Sequence, residues 1–211
     1  MRSIALDSLP DDRVYKILCS LVVPRPIALV STLGPGGIVN AAPFSFFNVF
    51  SEAPPLVVLG LQHRADHSPK DTTVNIRANG EFVVNLVDEP LADAMNLCAT
   101  DFPAEVSELA AIGLTAAASL KVAPPRVAEA PAALECVREL SLNFGPQREL
   151  LIGRVLHVHV REDVMDERFN VDIDAYRPIG RLFGNLYSHQ QDVFALERVS
   201  HASWQTRKAA E

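Results

Sequence analysis

PIALVSTLGPGGIVNAAPFSFFNVFS, residues 26–51, consists of two apolar arms rich in β-branched and aromatic residues around Gly34-Pro35-Gly36-Gly37. Glycine and proline at that density punctuate a chain, and the flanking residues favour extended backbone, so the stretch predicts a hairpin. Its return arm contains Pro43, which has no N–H to give a sheet ladder. The arm is therefore expected to be bent, to lie at a sheet edge, or to be partly loop.

Further strands are expected on either side of this hairpin. Pro54-Pro55 ends the return arm, and LVVLGL (56–61) reads as a buried strand, followed by EFVVNLV (81–87), ALECVRELSLNFG (133–145) and ELLIGRVLHVHVRED (149–163). In the last, Leu156, Val158 and Val160 alternate with His157, His159 and Arg161, the period of a half-buried strand with its histidines in solvent. Residues 11–22 place Val14, Ile17, Leu18 and Leu21 on one face of a helix behind Asp11 and Asp12. Ser68-Pro69-Lys70-Asp71 predicts a second helix start with Ser68 as N-cap, running to Asn79 with Gly80 beyond its end. Residues 90–100 and 104–112 are Ala-rich helical stretches. Strands joined by hairpins, without regular strand–helix alternation, indicate a mainly β fold, an antiparallel barrel with a few peripheral helices. No repeat or linker divides it, so residues 1–211 are expected to form one domain. Residues 1–23 are a helical extension of it and 189–211 a tail that frays at RKAAE.

Composition narrows the function. With 48% apolar and 21% charged residues, the 211-residue chain buries an ordinary core, which excludes disorder. Its formal charge of −7 opposes the fields of nucleic acids and anionic membranes, so neither is an expected partner. No apolar run approaches the roughly 20 residues of a membrane span, and residues 1–12 do not read as a signal peptide. Cys19, Cys98 and Cys136 are an odd set without C-x-x-C spacing, which fits buried thiols and a cytoplasmic location.

Familiar phosphate-loop, dinucleotide, serine-nucleophile and zincin signatures are missing. His63-x3-His67 and His157-x-His159 lack a Cys or carboxylate to complete a ligand set, so no metal is expected. Two segments remain. Asn40–Asn48 (NAAPFSFFN) has small residues at Ala41 and Ala42 that would let a flat ligand lie against exposed amides, or would simply pack. Ser68–Asn75 (SPKDTTVN) gathers Lys70, Thr72 and Thr73 around a helix N-terminus, which suits a phosphate dianion and equally an ordinary capped helix.

V-P-R-P-I-A-L-V-S-T (23–32), N-A-A-P-F-S (40–45), S-E-A-P-P-L-V (51–57), K-D-T-T-V-N-I (70–76), E-F-V-V-N-L (81–86) and P-P-R-V-A-E-A-P-A-A-L-E-C (124–136) occur in one order, continuing to R-P-I-G-R-L-F-G-N-L-Y (177–187). This ordered set resembles the flavin reductase-like, FMN-binding split-barrel family, which includes flavoredoxin and the reductase components of two-component flavin monooxygenases. The resemblance implies a Greek-key split barrel that dimerises and binds FMN near the subunit interface. It places Thr32, Asn40, Ala41 and Ala42 beside the isoalloxazine, with Phe44 in the same segment, and Ser45 and Asn48 along the ribityl and phosphate. Lys70, Asp71, Thr72 and Asn75 fall at the phosphate end, Asp71 holding the helix start while Lys70 and backbone amides take the charge. Arg25 and Arg181 are the next phosphate candidates.

The activity implied is a flavoprotein oxidoreductase in which NADH or NADPH reduces the flavin. Oxygen, free flavin, iron or a partner monooxygenase then takes the electrons. The alternatives are an FMN-holding electron carrier without NAD(P)H turnover and a flavin-free small-molecule barrel. No catalytic acid or base is named, because the cofactor supplies the chemistry. Phe183 departs from the family's R-L-G-G pattern and would narrow or stack on the nicotinamide side.

Overall fold

The computed structural model describes residues 1–209. In chain order, helix α1 (Asp11–Leu21) precedes the hairpin arms β1 (Ala28–Leu33) and β2 (Val39–Phe44), then β3 (Phe47–Glu52), β4 (Pro55–Gln62), α2 (Asp71–Asn79) and β5 (Glu81–Leu86). Two short helices, α3 (Ala92–Leu97) and α4 (Glu108–Ile112), lead through the two-residue strands β6 (Ala116–Ala117) and β7 (Arg126–Val127) to the long pair β8 (Ala132–Phe144) and β9 (Arg148–Val160). One turn of helix, α5 (Ile173–Tyr176), the small pair β10 (Ile179–Arg181) and β11 (Tyr187–His189), and α6 (His201–Ala209) complete it. Among the described residues no helix is long and apolar enough to cross a membrane.

Seven strands form one antiparallel sheet in the order β2-β1-β5-β8-β9-β4-β3. Its outermost strands, β2 and β3, are consecutive in sequence with only Ser45 and Phe46 between them. Three virtual bonds of about 3.8 Å cannot span a flat seven-stranded sheet, so the sheet must roll until its edges meet. They meet at that corner, which β4 holds by one more rung of the β3–β4 ladder, the Gly60 N–H donating to the Phe46 carbonyl at 2.7 Å. A Cβ on Gly60 would stand 2.9 Å from the Cβ of Phe46, so this rung at the corner needs a glycine. The single return arm expected of residues 38–51 is thus two strands, the edge strand β2 and its successor β3, split by a bend. Pro43 lies on the outer side of β2, two residues from Ala41, whose N–H also points away from β1.

Inward-facing Val30, Phe47, Leu59, Phe82, Val84 and Leu151 fill the barrel. A second core forms where Leu29, Ala41, Leu91, Met95, Leu109 and Ile179 pack outside β1 and β2. β1 is consequently buried on both faces, which is why Ala28, Leu29 and Val30 run without alternation and the buried Ser31 and Thr32 that follow are hydrogen-bonded. All three cysteines are free and buried, as their spacing suggested.

Several expectations are corrected. Helix α2 starts at Asp71, with Lys70 at the N-cap; Ser68 instead bonds Asp66 through both its N–H and its hydroxyl in the preceding loop. Its far end is as expected, with Gly80 left-handed at φ 77°. In β9 the register with β8 skips Leu156, since Glu135 faces His157 while Cys136 faces Val155. That bulge reverses the alternation: Leu156 and Val158 are exposed, and His159 turns toward the wholly buried Glu135. The helical stretches expected over 90–100 and 104–112 shorten to α3 and α4. Of the RKAAE tail, Arg207–Ala209 belong to α6 and Ala210 and Glu211 lie outside the described residues.

Candidate functional site

A cavity of about 780 Å3 opens between β2, the Ser45–Phe46 corner, β4 with the loop after it, the start of α2 and the segment joining α3 to α4. That size falls in the range of roughly 300–1,000 Å3 typical of cofactor pockets. Asn40, Ala42, Phe44, Ser45, Lys70, Asp71 and Thr72 line it, so seven of the eleven candidate residues come together there.

One end carries positive charge. The N-cap of α2 makes no side-chain cap hydrogen bond, which leaves the first-turn N–H groups and the positive end of the helix dipole facing the cavity beside Lys70. The carboxylate of Asp71 is paired with Arg64 at 2.9 Å, and Arg64 also bonds the Pro69 carbonyl. Arg64 thereby offsets the negative charge of Asp71, and Lys70 makes no ion pair among the described residues. Asn40 Nδ2 donates to Thr72 Oγ1 at 3.0 Å, which latches β2 to the helix start within the cavity wall.

Four candidates do not line the cavity. Asn75 Nδ2 donates to Thr32 Oγ1 at 3.0 Å, both buried, so this pair fastens α2 onto β1 from behind. Ala41 is buried and its N–H is already taken by Glu108 Oε2 at 2.9 Å, so it is not the exposed amide its small size suggested. Asn48 is exposed, its side chain accepting from the Val49 N–H. The alternative phosphate cations are also engaged elsewhere. Arg25 donates to the carbonyls of Cys19, Val22 and Leu182, and Arg181 bonds the Gly184 carbonyl and stacks over Tyr187. Phe183 is half-exposed and outside the cavity.

The structure adds wall residues that the sequence did not single out, notably Gly60, His63, Arg64, Cys98, Glu108 and Arg148. Arg64 had a signal, a guanidinium six residues before Lys70 at an anion-friendly helix start. Glu108 had none, because only the packing of α4 brings it to β2. Burial raises its carboxyl above the ordinary range, with the Ala41 N–H working against that rise. The neighbouring Cys98 thiol is pushed up to about 12 by burial and then by the Glu108 charge. His63 is not a solvent-loop histidine: it is buried, with Nδ1 2.9 Å from the Pro146 carbonyl and Nε2 3.7 Å from the buried Glu149, which Arg77 also holds.

Residues 20–180 match the Flavin reductase like domain. A Deinococcus radiodurans protein of unassigned function is 44% identical over 207 residues, 95% of this chain and 91% of its own length. Among solved structures, nitrilotriacetate monooxygenase component B from Bacillus cereus is similar with a TM-score of 0.89 and 35% identity over 93% of this chain and 98% of that one. Pseudomonas fluorescens 2-nitrobenzoate 2-nitroreductase gives 0.87 and 37% over 95% and 98%. Given a rolled antiparallel sheet closed at one corner, a domain match over most of its length and relatives aligned nearly end to end, the chain belongs to the flavin reductase-like family and has its split-barrel fold.

Proposed function

We propose that this protein is an FMN-dependent oxidoreductase, an NAD(P)H:flavin reductase that works as a homodimer and serves a small acceptor or a partner monooxygenase. The observation that carries the reading is the cavity's polarity. An uncapped helix N-terminus with Lys70 and Arg64 sits at one end, and a wall of small and aromatic groups, Ala42, Gly60 and Phe44, runs along it. A phosphate needs the first and a flat heterocycle the second. When bound, FMN supplies the redox chemistry, taking hydride from a reduced pyridine nucleotide and releasing electrons to its acceptor.

The chain's residues orient and anchor. Lys70, Thr72 and the α2 amides hold the phosphate, while Asp71 keeps Arg64 in place beside them. Asn40, Ala42, Phe44 and Ser45 border the ring and ribityl. Thr32 and Asn75 fix the angle of α2, and Glu108 fixes β2 through Ala41. Similarity to a monooxygenase component B and to a nitroreductase supports reductase chemistry over storage.

Visible spectra of the purified protein, before and after anaerobic NADH and NADPH, test this. A yellow protein bleached by one of the nucleotides is expected. A yellow protein that neither reduces makes it an electron carrier, and a colourless one that fails to quench added FMN overturns the flavin reading.

A further inference from the structure

Arg148 opens β9 and pairs with Gln62, the last residue of β4. Residues directly opposite in an antiparallel pair share a face, and Gly60, two residues before Gln62, shares it too. That face is a wall of the main cavity, which Gly60, Gln62 and Arg148 all line. From Gln62 the chain runs on through His63 to Arg64, whose guanidinium holds Asp71 next to Lys70. Arg148 therefore adds a cation to the cavity from a strand that contributes nothing to the helix start.

Its guanidinium has no acceptor among the described residues. Three carboxylates line the cavity, and none of them takes it: Asp71 is held by Arg64, Glu108 accepts the Ala41 N–H, and the exposed Asp101 joins no ion pair there. No nitrogen of Arg148 is sealed from solvent, so an incoming oxygen can reach its donors, whereas the neighbouring His63 has its Nε2 sealed off. A guanidinium presents paired N–H groups whose spacing fits two oxygens of one phosphoryl group. Lys70, Thr72 and the α2 amides already serve the phosphate assigned to FMN. What remains for Arg148 is a phosphoryl group of another position, and dinucleotides carry one.

We propose that Arg148 recognises a second phosphoryl group, the one that distinguishes FAD from FMN or NADPH from NADH. The assignment rests on the flavin reading and names a specificity residue of the same site. Two affinity ratios test it in the wild type, Arg148→Gln and Arg148→Lys. FMN is compared with FAD by fluorescence quenching on the flavin-free chain, and NAD+ with NADP+, which cannot reduce the flavin, by isothermal titration of the FMN-loaded protein. At least one ratio is expected to shift about tenfold in Arg148→Gln through weaker FAD or weaker NADP+, with FMN and NAD+ held within about twofold and part of the loss recovered in Arg148→Lys. A loss for FAD alone assigns Arg148 to the diphosphate, and a loss for NADP+ alone to the 2′-phosphate. Both ratios unmoved, FMN weakened as much as FAD, or a wild type that binds neither FAD nor NADP+ overturns the proposal while FMN binding leaves the flavin reading standing. Failure of the wild type to quench either flavin overturns both.

Discussion

Lys70 is the side chain on which the phosphate assignment is most directly testable. A charge-assisted contact contributes roughly 1.5–3 kcal/mol, so Lys70→Ala is expected to weaken FMN about tenfold to a hundredfold and leave riboflavin, which lacks the phosphate, unaffected. Flavin-fluorescence titration measures both; equal losses, or none, would remove Lys70 from the phosphate site. Two buried carboxyls predict opposite pH dependences. For Glu135, burial alone would raise the carboxyl, but the His159 bond and the Leu120 and Lys121 amides outweigh it and hold it below its ordinary 4.5. Its contribution is full above that ordinary value and is lost as pH falls through the lower folded one. Glu135→Gln leaves one of the Leu120 and Lys121 amides without its acceptor and is expected to cost roughly 1–3 kcal/mol at neutral pH and to flatten the acid limb of the stability profile. Glu108 is raised by burial, so its penalty grows as pH rises past its ordinary value, and Glu108→Gln should relieve it at neutral pH while still accepting the Ala41 N–H. Thermal melts across pH separate the two cases.

Among the elements, β4 and the corner it meets join fold to site. The Gly60 N–H extends the β3–β4 ladder onto the corner at Phe46, and both residues line the main cavity. Gly60→Ala forces this rung apart against the Cβ of Phe46, not the movable end of its ring. A loss of roughly 1–3 kcal/mol is expected, read as a lower denaturant midpoint with unchanged slope, together with weaker flavin binding. The bulge at Leu156 does comparable work in β9, turning His159 inward to Glu135 and leaving Leu156 and Val158 outside. A strict period-2 reading assigns every one of those side chains to the wrong face.

On the scale of the whole molecule, the chain exposes more apolar surface than a monomer needs. Leu18 and Leu21 of α1 face solvent, as do Phe50 in β3, Leu140, Leu142 and Phe144 along β8, and Val193, Phe194 and Leu196 after β11. Such a set calls for cover, and a symmetric partner supplies it most simply. Light scattering at micromolar concentration is expected to give twice the 23.0 kDa chain mass. A monomer would remove the proposed homodimer and any site shared across its interface.

The sequence by itself determined the strands β1, β4, β5, β8 and β9, the hairpin at Gly34–Gly37, the barrel class and a helix beginning beside Lys70, because glycine, proline and apolar runs act on backbone a few residues away. It also indicated the segments around Asn40 and Lys70. The tertiary structure decided which of those side chains reach the cavity. Asn40 and Thr72 meet across 32 positions, Thr32 and Asn75 across 43, and Glu108 reaches Ala41 across 67. No local pattern encodes such distances. Whether a small polar residue faces a ligand or pins a helix depends on how the rolled sheet closes, and that is set by the packing of the whole core.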